Sequence, residues 1–237
     1  MFRNIKVIAF DADDTLWVNE PIFKKAHEDF AEIVCEWIKS NDIEAELYKT
    51  EIQNIPIYGF GIKGFTLSMI ETSIRVSHGQ INTDQISKII NIGKEMHNHP
   101  VELLPEVENT LKTLSGDYRL IVATKGDLLE QQRKLKRSNL EKYFHHVEVM
   151  SDKTPAQYQR LIKHLDIAPE SFLMIGNSIR SDILPALDIG GYAIHVPYYL
   201  SWIHEQVDDF DTNRPRFMEC ERLSDIVDHL LASGSAR

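Results

Sequence analysis

Two aspartates near the start of the chain have the types and spacing needed for metal or acid–base chemistry. Asp11 and Asp13 follow the apolar run Ile5–Phe10, interrupted only by Lys6, and are separated by a single residue. Side chains alternate along an extended chain, so both carboxylates can lie on one side. Two adjacent carboxylates repel each other unless a cation or a shared proton intervenes. Because hard oxygen ligands suit Mg²⁺, we expect a magnesium site here; the alternative is an acidic turn that caps the next helix.

Five further polar residues follow later apolar runs: Thr124, Lys125, Lys153, Asn177 and Asp182. Taken singly, each has an ordinary explanation: a threonine can cap a strand end, a lysine is usually solvated, and an aspartate often begins a helix. Together they supply carboxylates for a metal, and hydroxyl and ammonium groups for phosphoryl oxygens. A carboxylate can also act as nucleophile and become an aspartyl-phosphate. The ordered pattern therefore favours a site for a phosphoryl group with Mg²⁺.

The segments that must position these residues are short strands alternating with helices. Runs typical of buried strands precede the polar groups, at Ile5–Phe10, Tyr118–Ala123, Phe144–Met150 and Phe172–Ile175, and Tyr192–Val196 follows. Such alternation predicts a parallel sheet built from right-handed crossovers. The first strand must join that sheet, because a lone strand cannot satisfy its backbone. We therefore predict an α/β fold, a Rossmann-like parallel sheet with helices on both faces and a ligand site at the carboxyl ends of its strands.

The stretch between the first two of these strands contains only helical patterns. We predict an all-helical cap domain over residues 17–99, inserted into a core domain of residues 1–16 and 100–237. Within it, a helix is expected to stop at Pro56, and another to begin with Thr83 as N-cap. The two ends of the insertion should lie together beside the first strand, a position that suits a lid. Phe60 and Lys63, in a glycine-rich stretch, are candidates for substrate specificity, although a helix-entry turn explains them equally well.

In its motifs the chain resembles the haloacid dehalogenase superfamily. Asp11-Ala12-Asp13-Asp14-Thr15-Leu16 matches its Asp-x-Asp-x-Thr-Leu signature, and Thr124 matches its second motif. Lys153 matches the third, and the segment from Gly176 to Asp182 matches the fourth with one departure. The resemblance extends over the whole chain, including a helical cap between the first two motifs.

The resemblance implies a role for each motif residue. Asp11 would attack phosphorus and become an aspartyl-phosphate, while Asp13 would first protonate the leaving alcohol and then deprotonate water. Residues implied to hold the phosphoryl oxygens are Thr124, Lys125 and Lys153. Residues implied to hold Mg²⁺ are Asp11, Asp13 through its carbonyl, Asn177 and Asp182.

Two positions refine this expectation. Asn177 stands where the family usually has Asp; an amide oxygen can ligate Mg²⁺ but brings no charge, so weaker metal binding is expected. Asp13 indicates phosphate-ester chemistry, because dehalogenase and phosphonate-cleaving relatives lack an Asp there. We therefore expect a phosphatase of a small phosphorylated metabolite. A phosphomutase or other phosphoryl transferase, and a catalytically weak regulatory protein that senses such a metabolite, remain alternatives.

Composition limits the partners and the location. The 237 residues carry a formal net charge of -10, so we expect no nucleic acid partner. No apolar run approaches the ~20 residues of a membrane span, and neither Cys35 nor Cys220 lies in a metal-binding spacing. We expect a cytoplasmic protein without a membrane partner, as a monomer or homodimer. The basic run Lys134–Arg137 is expected to be a solvated helix face.

Overall fold

A six-stranded parallel sheet forms the centre of one part of the molecule. The computed structural model describes residue 2 and residues 4–234, apart from the side chains at positions 40, 41 and 232–234. The strand order is β3-β2-β1-β4-β5-β6. The strands are β1 (Val7–Phe10), β2 (Arg119–Lys125), β3 (His146–Met150), β4 (Phe172–Gly176), β5 (Tyr192–His195) and β6 (Phe217–Glu219). This confirms the predicted α/β fold, with β1 between β2 and β4.

Alternating side chains of the strands feed two separate apolar cores, one on each face of the sheet. On β1, Ile8 and Phe10 lie in the first core, whereas Val7 and Ala9 lie in the second. All four residues are almost completely buried. A strand that is covered on both faces must be apolar throughout, which is why β1 contains no polar residue.

Helices cover both faces of this sheet. They are α5 (Val107–Leu114), α6 (Leu128–Ser138), α7 (Pro155–His164), α8 (Leu184–Asp188) and α9 (Asp225–Gly234). Leucines of α5 and α9 line the first core, and Tyr158, Leu161 and Ile162 of α7 line the second. A π-helical turn, Ile179–Ile183, precedes α8. The short strand β6 was not predicted, because its three residues are too few to show a periodic signal.

Four helices make up the second part: α1 (Glu20–Val34), α2 (Ser40–Tyr58), α3 (Ile62–Val76) and α4 (Thr83–Asn98). Their apolar faces share a core that includes Phe30, Leu47, Met69 and Ile89. No helix in the described part of the chain is long and apolar enough to span a bilayer.

Two predicted helix ends in this part were wrong. Pro56 lies inside α2 instead of ending it; near the last turn a proline removes only one helical hydrogen bond. The N-cap of α4 is Asn82 rather than Thr83, because Asn82 and Gln85 form a reciprocal capping box.

By its internal contacts the chain divides into two compact units. The sheet unit contains the described residues up to Glu20, Val101–Lys125 and Arg133 onward, and the helical unit contains Pro21–Pro100 and Gly126–Gln132. Within the sheet unit, the Val18 N–H donates to the Glu102 carbonyl over 2.9 Å, so the chain leaves and returns at neighbouring points, as predicted. The domain boundaries at residues 16 and 100 remain a prediction.

Candidate active site

A buried lysine links two aspartates at the carboxyl edge of the sheet. The Asp11 N–H donates to the Ile175 carbonyl over 2.8 Å, which holds Asp11 beside the end of β4. The Lys153 ammonium donates to Asp11 Oδ1 and, over 2.6 Å, to Asp182 Oδ1. Only 1% of the Lys153 side chain is exposed. Three predicted site residues from separate loops are therefore in contact, and Lys153 is not a solvated surface lysine.

The electrostatics of this triad follow from burial and charge. Burial raises the pKa of Asp11 to about 7, although the Lys153 ammonium acts in the opposite direction. Burial alone would lower the pKa of Lys153, but the carboxylates of Asp11 and Asp182 outweigh it and raise that pKa. Lys153 is therefore cationic at any physiological pH and supplies a permanent positive charge beside Asp11.

The close approach of Asp182 to the sheet depends on Gly176. A Cβ at position 176 would lie 2.2 Å from Asp182 Oδ2, which no packing could accommodate. The Ser178 N–H donates to the same oxygen over 3.0 Å. The glycine at the end of β4 is thus required for the fourth motif to hold its aspartate in place.

Asn177 lies against the oxygens of Asp11 and Asp13. With its amide in one orientation, Asn177 Oδ1 accepts a hydrogen bond from the Thr15 hydroxyl over 3.3 Å. With the amide turned by half a revolution, its nitrogen donates to the Asp13 carbonyl over 3.3 Å and to Asp11 Oδ2 over 3.2 Å. In the first orientation, Asn177 Oδ1 lies near two other oxygens, the Asp13 carbonyl and Asp11 Oδ2. In the second orientation, the amide nitrogen bonds to those two oxygens, so that no cation is needed between them.

These atoms fit a hard cation such as Mg²⁺. Among the described residues, no three His, Cys, Asp or Glu side chains converge as a metal site. The oxygens that do converge are one carboxylate, one main-chain carbonyl and one amide, all suitable ligands for Mg²⁺. Asp182, the fourth predicted ligand, contacts Lys153 and Ser178 instead, and its metal role remains a prediction.

The Asp13 side chain is held by two donors. Asp13 Oδ1 accepts from Trp17 Nε1 over 2.7 Å and from the Lys134 ammonium over 2.9 Å. The ammonium also donates to Asn19 Oδ1 over 2.8 Å. The prediction that Lys134 belongs to a solvated helix face was wrong: its side chain is 15% exposed, because it lies on the α6 surface that meets the Asp13 loop.

The residues after β2 are also engaged. The Thr124 side chain is buried, and its hydroxyl donates to the Lys125 carbonyl over 3.2 Å. The Lys125 ammonium donates to Ser181 Oγ over 2.8 Å and pairs with Glu205. Their predicted role in holding phosphoryl oxygens remains untested by these contacts.

Phe60 and Lys63 belong to the helical unit. Phe60 is half-buried, and the Lys63 ammonium pairs with Asp127 Oδ2 over 2.8 Å within that unit. The Ile62 N–H, at the start of α3, donates to the buried Glu130 carboxylate over 3.3 Å. Substrate recognition by Phe60 and Lys63 remains a prediction.

Sequence reasoning did not identify several residues that surround the site. Asp14 has a left-handed backbone (φ 60°), and its carboxylate accepts from the N–H groups of Asn19 and Glu20 at the start of α1. The short separation of Trp17 from Asp13, four residues across a turn, gave only a weak signal for that contact. Lys134 and Glu205 gave none, because each is distant in sequence from its partners.

A switch point of a parallel sheet, lined by aspartates and a buried lysine, defines a doubly wound α/β enzyme. Residues 5–190 match the family described as haloacid dehalogenase-like hydrolase, and the chain belongs to that family. It is therefore a hydrolase of the superfamily that its four motifs resemble.

Individual relatives agree with this assignment. A haloacid dehalogenase-like hydrolase from Xanthomonas campestris superimposes with a TM-score of 0.87 at 36% identity, over 98% of this chain and 93% of its own. The glyceraldehyde 3-phosphate phosphatase of Pyrococcus furiosus is 26% identical over 83% of this chain and 82% of its own length. The protein of that name from Methanothermobacter thermautotrophicus is 27% identical over 81% and 85%.

Proposed function

We propose that this hydrolase is a Mg²⁺-dependent phosphatase that releases phosphate from a small phosphorylated metabolite through an aspartyl-phosphate at Asp11. The observation that carries the proposal is the buried Lys153 ammonium in contact with both Asp11 and Asp182. A permanent cation beside a nucleophilic carboxylate suits a phosphoryl group, whose negative charge must be neutralised while the carboxylate attacks.

In the first half-reaction, an Asp11 carboxylate oxygen forms a bond to phosphorus, and the bond from phosphorus to the ester oxygen breaks. The leaving oxygen takes its proton from the Asp13 carboxyl. Trp17 and Lys134 hold Asp13 Oδ1; this restrains the carboxyl group in one orientation.

In the second half-reaction, Asp13 acts in the reverse sense. It removes a proton from water, the water oxygen bonds to phosphorus, and the bond from phosphorus to Asp11 breaks. Inorganic phosphate leaves, Asp11 is again a carboxylate, and Asp13 again carries the proton. Lys153 stays cationic throughout and does not exchange protons.

Asp11, the Asp13 carbonyl and Asn177, with Asp182 as the fourth ligand, would hold Mg²⁺. When bound, Mg²⁺ supplies positive charge that draws electrons from the phosphoryl oxygens and reduces their repulsion toward Asp11. The Asn177 amide must present its oxygen to the ion, and hence give up the hydrogen bonds that its nitrogen makes in the other orientation.

The proposed substrate class is taken from the relatives. Relatives named as glyceraldehyde 3-phosphate phosphatases make phosphorylated three-carbon sugars the first compounds to assay. Phe60 and Lys63 are the proposed specificity residues, and a cytoplasmic location and a monomer or homodimer are the corresponding expectations for the whole protein.

The test is phosphate release from p-nitrophenyl phosphate with and without Mg²⁺. We expect Mg²⁺-dependent turnover that Asp11→Asn abolishes, whereas Asp117→Asn, a matched change at an exposed position, leaves it unchanged. Turnover that persists in Asp11→Asn would contradict the assignment of Asp11 as the nucleophile. An inactive but folded wild type that still traps beryllofluoride would favour a phosphoryl transferase, and one that binds phosphate without trapping would favour a sensor.

A further inference from the structure

A cluster of four side chains joins three segments: the end of β2, the loop after β4 and the loop after β5. Lys125 ends β2, Ser178 and Ser181 follow β4, and Glu205 lies in a short 3₁₀ turn, Ile203–Glu205. Since β1 lies between β2 and β4, the cluster bridges two strand spacings, about 10 Å. It therefore passes across the end of the strand that carries Asp11.

Glu205 is the acceptor at the centre of this cluster. Its Oε2 accepts hydrogen bonds from the hydroxyls of Ser178 and, over 2.5 Å, Ser181, while Oε1 pairs with the Lys125 ammonium. In turn, Ser181 Oγ accepts from Lys125 over 2.8 Å, and Ser178 Oγ accepts from the Ser181 N–H over 3.0 Å. Each serine hydroxyl thus donates a hydrogen bond to Glu205 and accepts one from another donor.

The cluster is shielded from solvent and balanced in charge. The side chains of Lys125 and Glu205 are 16% and 15% exposed. Burial would raise the pKa of Glu205, but Lys125 and the serine hydroxyls outweigh it and lower that pKa to about 2. The Arg180 guanidinium donates to the His204 carbonyl over 2.9 Å, which is a second link between the loop after β4 and the loop after β5.

We propose that Glu205 is a positioning residue that holds the Lys125 ammonium and the Asn177–Asp182 loop in the arrangement that binds the phosphoryl group. The inference rests on the proposed function, since it takes Lys125 as a phosphate-site residue. Glu205 acts through its neighbours and is not itself a catalytic group.

Substitution by glutamine tests this arrangement without changing side-chain size. The amide of Glu205→Gln removes the negative charge opposite the Lys125 ammonium, and its N–H₂ group cannot accept a hydrogen bond from Lys125 or from a serine hydroxyl as the carboxylate oxygen did. We expect the Kd for inorganic phosphate, measured by calorimetry with Mg²⁺ present, to rise about tenfold, as for the loss of one charge-assisted hydrogen bond. The KM for p-nitrophenyl phosphate should rise in parallel, with a smaller change in kcat.

A double-mutant cycle distinguishes positioning from a general structural effect. Because Glu205 acts through Lys125 and the Asn177–Asp182 loop, Glu205→Gln should weaken phosphate binding less in the Lys125→Met background than in the wild type. Asp208→Asn, which removes one exposed charge from the same loop, should match the wild type. If Glu205→Gln does not fold, Ser181→Ala should show the same change to a smaller degree.

Several results would overturn the inference. They are phosphate binding in Glu205→Gln that equals that of Asp208→Asn, tighter binding in Glu205→Gln, and independent effects in the double variant. A wild type that binds no phosphate would overturn it as well. A wild type without turnover whose phosphate binding follows the expected pattern would instead defeat the proposed function and leave the role of Glu205 standing.

Discussion

The Lys134 ammonium lies 2.9 Å from Oδ1 of Asp13, although the two residues are 121 positions apart in the sequence. Through this contact α6 restrains the residue to which we assign proton transfer. Trp17 donates to the same oxygen, so the carboxylate is held from two sides.

Replacing Lys134 should slow the chemical step. In Lys134→Met, Asp13 keeps its Trp17 hydrogen bond but loses a charged one, and we expect kcat to fall about tenfold. Steady-state kinetics with p-nitrophenyl phosphate measure the effect. Lys136→Met, on the exposed side of the same helix, is the control. An equal kcat in the two variants would contradict a role for Lys134 in the chemical step.

Replacing Lys153 should cost both activity and stability. In Lys153→Met two buried carboxylates lose their cation, so we expect no measurable turnover and a loss of about 3–5 kcal/mol in the free energy of unfolding at pH 8. Without the ammonium, which lowers it, the folded-state pKa of Asp11 rises further, and the deficit should therefore shrink as the pH falls and Asp11 takes up a proton.

Urea denaturation at pH 8 and pH 5 tests the Lys153 prediction. Lys163→Met, at an exposed position of α7, serves as the matched variant and should change stability little at either pH. A deficit in Lys153→Met that is the same at both pH values would argue against buried carboxylate charge as its cause.

Asn177→Asp should strengthen Mg²⁺ binding and lower the thermal stability of the metal-free protein. The added charge favours Mg²⁺, but a carboxylate cannot donate to Asp11 and the Asp13 carbonyl as the amide nitrogen does. We expect a several-fold lower Mg²⁺ concentration for half-maximal activity, a lower Tm without Mg²⁺ and a larger Tm increase on adding it. Asn91→Asp, at an exposed helical position, should change none of these, and an unaltered Mg²⁺ response in Asn177→Asp would exclude metal contact.

Glu20 should make stability depend on pH. Burial raises its pKa to about 7, with further contributions from Asp13 and Glu205. Between the ordinary glutamate pKa and about 7, the folded state keeps a proton that the unfolded state releases, so stability falls as pH rises through that window. Glu20→Gln should make this fall shallower in chemical denaturation at pH 5 and pH 7, whereas Glu28→Gln, which is exposed in the same helix, should retain the wild-type slope.

The ion pair between Lys63 and Asp127 allows a test of the specificity residues. The Lys63 side chain is 56% exposed, so Lys63→Met should change the free energy of unfolding by less than about 1 kcal/mol. If Lys63 binds a second anionic group, the variant should raise the KM for a sugar bisphosphate but not for p-nitrophenyl phosphate. Lys88→Met, also exposed in the helical unit, is the control; equal KM values in the two variants would reject the assignment.

The parallel sheet and the positions of β1 to β5 along the chain could be predicted because their signals are local, whereas the order of the strands in the sheet was not predicted. A strand buried on both faces must be apolar, and β1 and β4 are apolar along their whole length, as is the centre of β2. The continuation of α2 beyond Pro56 and the N-cap Asn82 of α4 were missed, since packing and a one-residue choice of cap override propensity. The three-residue strand β6 has too few residues to show a period.

The sequence by itself determined the family and the principal polar residues. Asp11, Asp13, Lys153 and Asp182 stand at strand ends, and parallel strands carry their carboxyl ends to one edge. Only the tertiary structure decided which of these groups touch, and that Lys134 and Glu205 join them. Those contacts link residues from 24 to 142 positions apart. Neither composition nor periodicity encodes such a pairing, because it arises only when packing brings distant segments together.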